Sequence, residues 1–463
     1  MHHVIIGGGP AATNAVETIR QFDGGRSVVT LVCDEPAHSR MALPYWLAGR
    51  IPEAQAHTAD AAWFARLQVT TRFGVRVVAV DPPRKAVALS DGRTLDFDNL
   101  LIATGSSPVR PPVPGVDLPG VEPLWSLAQT GRVLRYAAAV EAAGRTPRVA
   151  LVGAGFIGCI VLNAMYERKW QLAVVEREAH LLPRMLDATA ADHAQRWLAR
   201  CDIPIHCGKT VRQIRQQADG TKAIDLSDGQ SLTADVVILA TGIRPNVELV
   251  HGSGIATDEA ILVNDRMQTS FPHVYAAGDV AQGPVLFGTA HAVHPIQPTA
   301  VDHGRVAGAN MAGHEVRYPG SLTMNVVDVC GLQCVSFGRW DGAATEATTI
   351  DNRAGFIYRR LLWRDDRISG AILAGRAGDL GMLTDVGMVK GLMQTQTRLG
   401  PWKQYLRDNP FDIRRAYIGS GAAAKLAGTT LLGRPSEARR FRFGAADPEA
   451  AVSAAHAVFF AKA

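Results

Sequence analysis

The 463-residue sequence predicts an α/β chain built from two units of related plan. Three observations carry that expectation. A strand, glycine turn and helix occur in succession twice. Each unit then runs from an Asp-Gly turn to an Ala-Thr-Gly tripeptide at the same spacing. A Gly-Asp step follows another strand-like run further downstream.

In the first unit, Val4-Ile5-Ile6 is a short apolar run that leads into Gly7-Gly8-Gly9-Pro10-Ala11-Ala12 and a helix-like stretch to Arg20. The G-x-G-x-x-A spacing is that of a Rossmann-like dinucleotide turn. Gly7 permits the tight turn, Gly9 lets a pyrophosphate approach the backbone, and Ala12 allows close helix–strand packing. The helix N-terminus offers free N–H groups to phosphate charge, so Pro10 and Ala11 join the candidate contacts. The next strand, Val28–Val32, ends at Asp34-Glu35, where a ribose-binding acid belongs.

The second unit repeats this. Val149–Val152 precedes Gly153-Ala154-Gly155-Phe156-Ile157-Gly158, and Leu172–Val175 ends at Glu176. Asp91-Gly92 leads through Leu95, Asp98 and Leu100 to Ala103-Thr104-Gly105. Asp228-Gly229 leads through Leu232, Asp235 and Val237 to Ala240-Thr241-Gly242 at identical spacing. A single glycine-rich turn also arises for steric reasons alone. Two in this order, each with its Ala-Thr-Gly closure, predict two dinucleotide sites.

With Ala276-Ala277-Gly278-Asp279 added, the chain resembles the two-dinucleotide-binding-domain flavoproteins of the pyridine-nucleotide–disulfide oxidoreductase superfamily, over residues 1 to about 400. The resemblance implies FAD in the first unit and NAD(P)H in the second, with Asp279 hydrogen-bonding the ribityl chain. It assigns Val78, Ala103, Thr104, Gly105 and Gly278 to the FAD site, and Gly153, Gly155, Ile157, Gly158, Glu176 and Gly242 to the nicotinamide nucleotide. A carboxylate at Glu176 favours ribose hydroxyls over a 2′-phosphate and hence NADH over NADPH, although Arg177 beside it pulls the other way.

Residues 39–49, SRMALPYWLAG, refine the branch. The segment resembles one that begins with a redox cysteine in coenzyme-A-disulfide reductases and some NADH oxidases and peroxidases; Met41 stands at that place. A thioether neither ionises nor forms a mixed disulfide. The Ser-Arg pair instead resembles rubredoxin reductase, ferredoxin reductase and nitrite reductase flavoproteins, which implies Arg40 near the FAD phosphates. Residues 298–310, 320–326 and 370–375 resemble that branch's flavin-supporting helix, the start of its C-terminal interface domain and that domain's central strand. There are departures. Tyr45 stands where many relatives carry a lysine near the flavin's reactive edge, Ile160 where many carry a nicotinamide-seating glutamate, and His303 at a common glutamine. His291, His294 and His303 fall near the expected flavin ring without the spacing of a metal site. His294, able to stabilise reduced flavin or relay a proton, and Tyr45 are the candidate catalytic side chains.

Composition narrows the function classes. Apolar residues make up 47%, charged residues 20%, and the net charge is +5, with no basic block interleaved with aromatics, so nucleic-acid binding is not expected. The six cysteines form no Cys-x-x-Cys pair, and Cys330 and Cys334 read as packing residues. The first residues run directly into a strand, and no apolar run reaches the ~20 residues of a membrane span; the expected compartment is the cytoplasm.

The expected organisation is a discontinuous FAD domain (1–113 and 243–318), an NAD(P)H domain (114–242) entered through the proline-rich PVRPPVPG, and an α+β interface domain (319–400) that covers the flavin and forms a dimer face in relatives. Residues 401–463 extend beyond it; RRFRFG (439–444) and Val458-Phe459-Phe460 are expected to pack on the protein's own body or trail from it rather than dock on a partner or membrane surface. The resemblance implies an enzyme that takes hydride from NADH through FAD and passes electrons to an external acceptor, a small redox protein or a partner subunit. NADH oxidase, flavin-dependent amine or opine dehydrogenase, and a non-catalytic NADH/FAD-binding redox sensor or assembly subunit are the alternatives.

Overall fold

The computed structural model describes residues 1–342, 346–426 and 431–432. Strand His2–Ile6 lies at the centre of a parallel sheet ordered Val274–Ala276, Asn99–Ile102, His2–Ile6, Val28–Cys33, Val69–Phe73. A second parallel sheet is ordered Val121–Pro123, Val236–Leu239, Arg148–Val152, Gln171–Glu176, Ile205–Cys207. Each central strand runs into a glycine turn and helix, and each neighbour on one side ends at an Ala-Thr-Gly. Between the helix and that tripeptide, each unit inserts a three-stranded antiparallel meander: Val77–Asp81, Ala86–Leu89 and Thr94–Asp96 in the first, Val211–Gln216, Lys222–Leu226 and Ser231–Ala234 in the second. The Asp-Gly turns close its last hairpin, with Gly92 and Gly229 at positive φ. The repeated spacing in the sequence is thus the spacing of a repeated meander.

Immediately after the two Ala-Thr-Gly turns, Ser106–Pro108 pairs antiparallel with Ile243–Pro245. This ribbon is where the chain crosses between the units. The helix Pro10–Asp23 starts on a proline, whose fixed φ suits a first turn. It crosses helix Gln297–Met311 so closely that a Cβ on Gly304 would lie 2.2 Å from the Ala11 carbonyl oxygen.

The third layer is an antiparallel sheet ordered Met324–Val329, Leu332–Gly338, Arg367–Arg376, Ile357–Arg364, Glu346–Asn352. Helix Leu380–Gln394 packs on one face around Phe337, Trp363, Leu373 and Val389. That core runs on past residue 400. Leu406, Ile413, Ala416 and Ala422, from three short helices between Pro401 and Leu426, are buried in it. Arg359 and Asp385 form a buried ion pair between sheet and helix. The other face packs on the nicotinamide unit, joining Cys334 and Ile372 to Leu162 and Met165 in one core. RRFRFG (439–444) and Val458-Phe459-Phe460 lie outside the described residues. Among the described residues no helix is long and apolar enough to cross a membrane.

Candidate active site

A cleft of about 950 Å³ opens along the first glycine turn. Gly7 has φ +112°, and a Cβ there would lie 2.2 Å from the Ala103 carbonyl oxygen, so strand and turn meet without room for a side chain. A Cβ on Gly9 would meet nothing within 4 Å. It faces open space at the uncapped N-terminus of helix Pro10–Asp23, which a pyrophosphate fits. Pro10, Ala11, Asp34, Glu35, Val78, Ala103, Thr104, Gly105, Gly278 and Asp279 all line this cleft, as do Arg40 and Met41. Ala12 does not. It is fully buried beneath, and its contribution is the close helix–strand packing. Asp34 is paired with Arg76 at 2.8 Å, and Glu35 lies 3.7 Å from His38 Nε2.

The second turn reproduces the first. Gly153 (φ +99°) would place a Cβ 2.3 Å from the Ala240 carbonyl oxygen, and Gly155 again faces open space. Gly158 allows the helix to press on the turn, since a Cβ there would lie 2.2 Å from the Gly153 carbonyl oxygen. The buried Glu176 carboxylate accepts from the N–H of Ala154 at 2.6 Å and of Glu178 at 2.9 Å, which places the negative charge at the lip of the turn. Arg177 turns outward and donates to Glu178 at 2.8 Å. Gly153, Gly155, Gly158, Glu176 and Gly242 stand apart from the flavin cleft. Ile157 alone of the second-unit candidates lines it, with Phe156, Ile160 and Val161 from the same helix. These four meet Met324 and Val326 of the third layer in an apolar wall at the cleft's far end.

Half of the polar centre, Ser106 and Trp125, was hidden in the sequence. Ser106 Oγ donates to Asp279 at 2.6 Å, and Arg40 Nη1 lies 3.4 Å from the same carboxylate oxygen. The Arg40 guanidinium stacks 4.6 Å from the Trp125 ring centre, and the Trp125 indole N–H donates to the Ser106 carbonyl at 2.7 Å. Ser106 had a faint signal, its place directly after Ala-Thr-Gly. Trp125 had none.

Tyr45, expected at the flavin edge, stands elsewhere. It is 46% exposed on helix Leu43–Ala48, outside the cleft lining, with Arg50 over its ring. Pro44, the residue before it on the same helix, and Met41, in the turn that precedes the helix, do line the cleft. His294 is also outside the lining. Its Nε2 meets Thr323 Oγ1 at 3.0 Å, tying the loop before helix Gln297–Met311 to the third layer. Burial lowers its pKa from the ordinary value. His303 is fully buried edge-on to Tyr318, and both ring nitrogens lack a hydrogen-bond partner among the described residues. Burial pushes its pKa down to about 3, so the ring is neutral at physiological pH. His291 is exposed. No group of three His, Cys, Asp or Glu able to hold a metal occurs among the described residues.

Two dinucleotide turns, the Asp279 carboxylate and an apolar wall between them define an NAD(P)H-dependent flavoprotein oxidoreductase that binds FAD and a nicotinamide nucleotide. The chain belongs to the pyridine nucleotide-disulphide oxidoreductase family, whose model matches residues 1–295. It is 29% identical over 420 residues to the NADH-dependent phenylglyoxylate dehydrogenase subunit epsilon of Aromatoleum evansii, covering 89% of this chain and 96% of that protein. It is 28% identical over 389 residues to the assimilatory nitrate reductase electron transfer subunit of Bacillus subtilis; the match covers 82% of this chain but about half (48%) of that protein. A solved covalent putidaredoxin reductase–putidaredoxin complex includes a chain of the same fold, with a TM-score of 0.80 and 22% identity over 91% of this chain and 99% of that one.

Proposed function

We propose that this protein oxidises NADH through FAD and hands the electrons to an external protein acceptor, a partner subunit or a small redox protein, in the cytoplasm. The observation that carries this reading is the absence of a thiol relay. Among the described residues, Cys33 is the one cysteine in the cleft lining, and burial raises it to about 11, so it is a thiol at neutral pH. Met41, at the cleft wall, cannot substitute for one. Bound FAD would supply the two-electron acceptance and onward transfer that no side chain here performs.

What the chain itself supplies is orientation and exclusion of water. Phe156, Ile157 and Ile160, with Met324 and Val326 also in the lining, would give a nicotinamide ring an apolar surface to rest on. Glu176 offers a carboxylate to the ribose hydroxyls and repels a 2′-phosphate. The two named relatives, a dehydrogenase subunit and an electron transfer subunit, support an acceptor that is itself a protein.

Anaerobic stopped-flow mixing of the purified holoprotein with NADH tests the reading. Rapid bleaching of the flavin, followed by slow recovery in air and fast recovery with a protein acceptor, is the expected result. A flavin that stays oxidised would overturn it, and recovery in air at the catalytic rate would replace it with an oxidase.

A further inference from the structure

Four residues close a ring across the flavin cleft. Arg40 contacts Asp279, Asp279 accepts from Ser106, the Ser106 carbonyl accepts from Trp125, and Trp125 stacks on Arg40. All four line the cleft. Three belong to the first unit; Trp125 belongs to the second, two residues past the end of its edge strand Val121–Pro123. Its backbone is held firmly. The N–H groups of Trp125 and Ser126 both donate to Gln129 Oε1, and Ser126 Oγ accepts from the Gln129 N–H, a capping box that starts helix Leu127–Ala142. The indole therefore reaches back over the crossing ribbon from a rigid helix start.

We propose that Trp125 is a positioning residue for FAD: from the nicotinamide unit, its ring holds the Arg40 guanidinium over the Gly105 turn and beside Asp279, at the ribityl–pyrophosphate stretch of the cofactor. Arg40 has a long, flexible side chain that loses rotamer freedom when fixed. The stack on an aromatic face offsets that loss. The Gly105 turn leaves space for it, since a Cβ there would come within 3.1 Å of Arg40 Nη1. Asp279 alone would draw the guanidinium down onto itself and compete with the ribityl hydroxyls. The stack shares the guanidinium between ring and carboxylate. Cofactor retention and seating of the nicotinamide unit thereby become interdependent. This inference rests on FAD occupying the first cleft and is independent of the acceptor's identity.

The test is FAD release from purified holoprotein, followed as the rise in flavin fluorescence after dilution, together with the visible circular dichroism of the bound flavin. Trp125→Leu is expected to release FAD about tenfold faster and to change the dichroism. Trp125→Phe, which keeps an aromatic face but lacks the N–H, should stay within about threefold of wild type. In an Arg40→Leu background, Trp125→Leu should add nothing. Wild-type release from Trp125→Leu, equal damage from Trp125→Phe, or a full additional factor in the double variant would each overturn the proposal. Should Trp125→Leu not fold, the Phe variant in both Arg40 backgrounds decides it: stacking alone predicts that its small effect vanishes with Arg40.

Discussion

Gly7 stands against Ala103 as Gly153 stands against Ala240. In each unit a Cβ on the glycine would lie 2.2–2.3 Å from the carbonyl oxygen of the alanine that opens Ala-Thr-Gly. The glycine and the tripeptide, about ninety residues apart in the chain, are two halves of one contact. Gly9, two residues on, has extended backbone (φ −79°) and open space above it. Gly7→Ala should therefore cost about 2–4 kcal/mol of stability from backbone strain and overlap. Gly9→Ala should leave stability within about 0.5 kcal/mol while sharply lowering FAD content. Urea unfolding beside the flavin-to-protein absorbance ratio separates the two.

Glu176 places a charge where NADH and NADPH differ. Replacing it with glutamine keeps the shape and one acceptor for the turn but removes the charge. The kcat/KM ratio of NADH to NADPH should fall about tenfold, chiefly through KM. Steady-state kinetics with both nucleotides measure this, and an unchanged ratio would move the determinant to Arg177.

Thiol alkylation should leave flavin reduction intact. Burial raises Cys33 to about 11 and Cys334 to about 12, and pushes Cys159, Cys207 and Cys330 up as well. Holoprotein treated with iodoacetamide at pH 7.5 is expected to keep its NADH-dependent bleaching rate. A stoichiometric loss of that rate would restore a thiol to the mechanism.

His303 sets an acid limit. The folded ring holds a proton only below about 3, whereas an unfolded histidine does so below 6.5. Between these values the unfolded chain binds a proton that the folded one refuses, so stability falls as pH falls through that window, by up to about 1.4 kcal/mol per pH unit. His303→Gln should flatten this limb. Urea midpoints at pH 7 and pH 5 give the slope, and an unaltered slope would assign it to other groups, such as His3, whose pKa burial lowers to about 4.

Legibility differed sharply between the turns and the cleft centre. The glycine turns were readable because each requirement falls on one residue type at a local spacing: no Cβ at Gly7, none at Gly153, a carboxylate at Glu176. Met41 was readable for the same reason, since a thioether announces its own chemistry. Tyr45 misled because alignment to a motif locates a residue along a helix but not around it; the hundred degrees between successive residues put Pro44 in the cleft and Tyr45 on the surface. His294 and His303, expected close to the flavin ring, are both absent from the cleft lining.

Sequence by itself determined that the chain carries two dinucleotide turns, because that depends on backbone sterics within a few residues; which unit takes FAD, and the significance of Met41, came from the family resemblance. Only the tertiary structure decided that Ser106 and Trp125 join Arg40 and Asp279 in the flavin cleft. Arg40, Ser106, Trp125 and Asp279 come from four separated segments, and their 2.6–4.6 Å contacts arise only where the crossing ribbon brings two units edge to edge. No spacing rule connects residues whose proximity is created by the packing of domains.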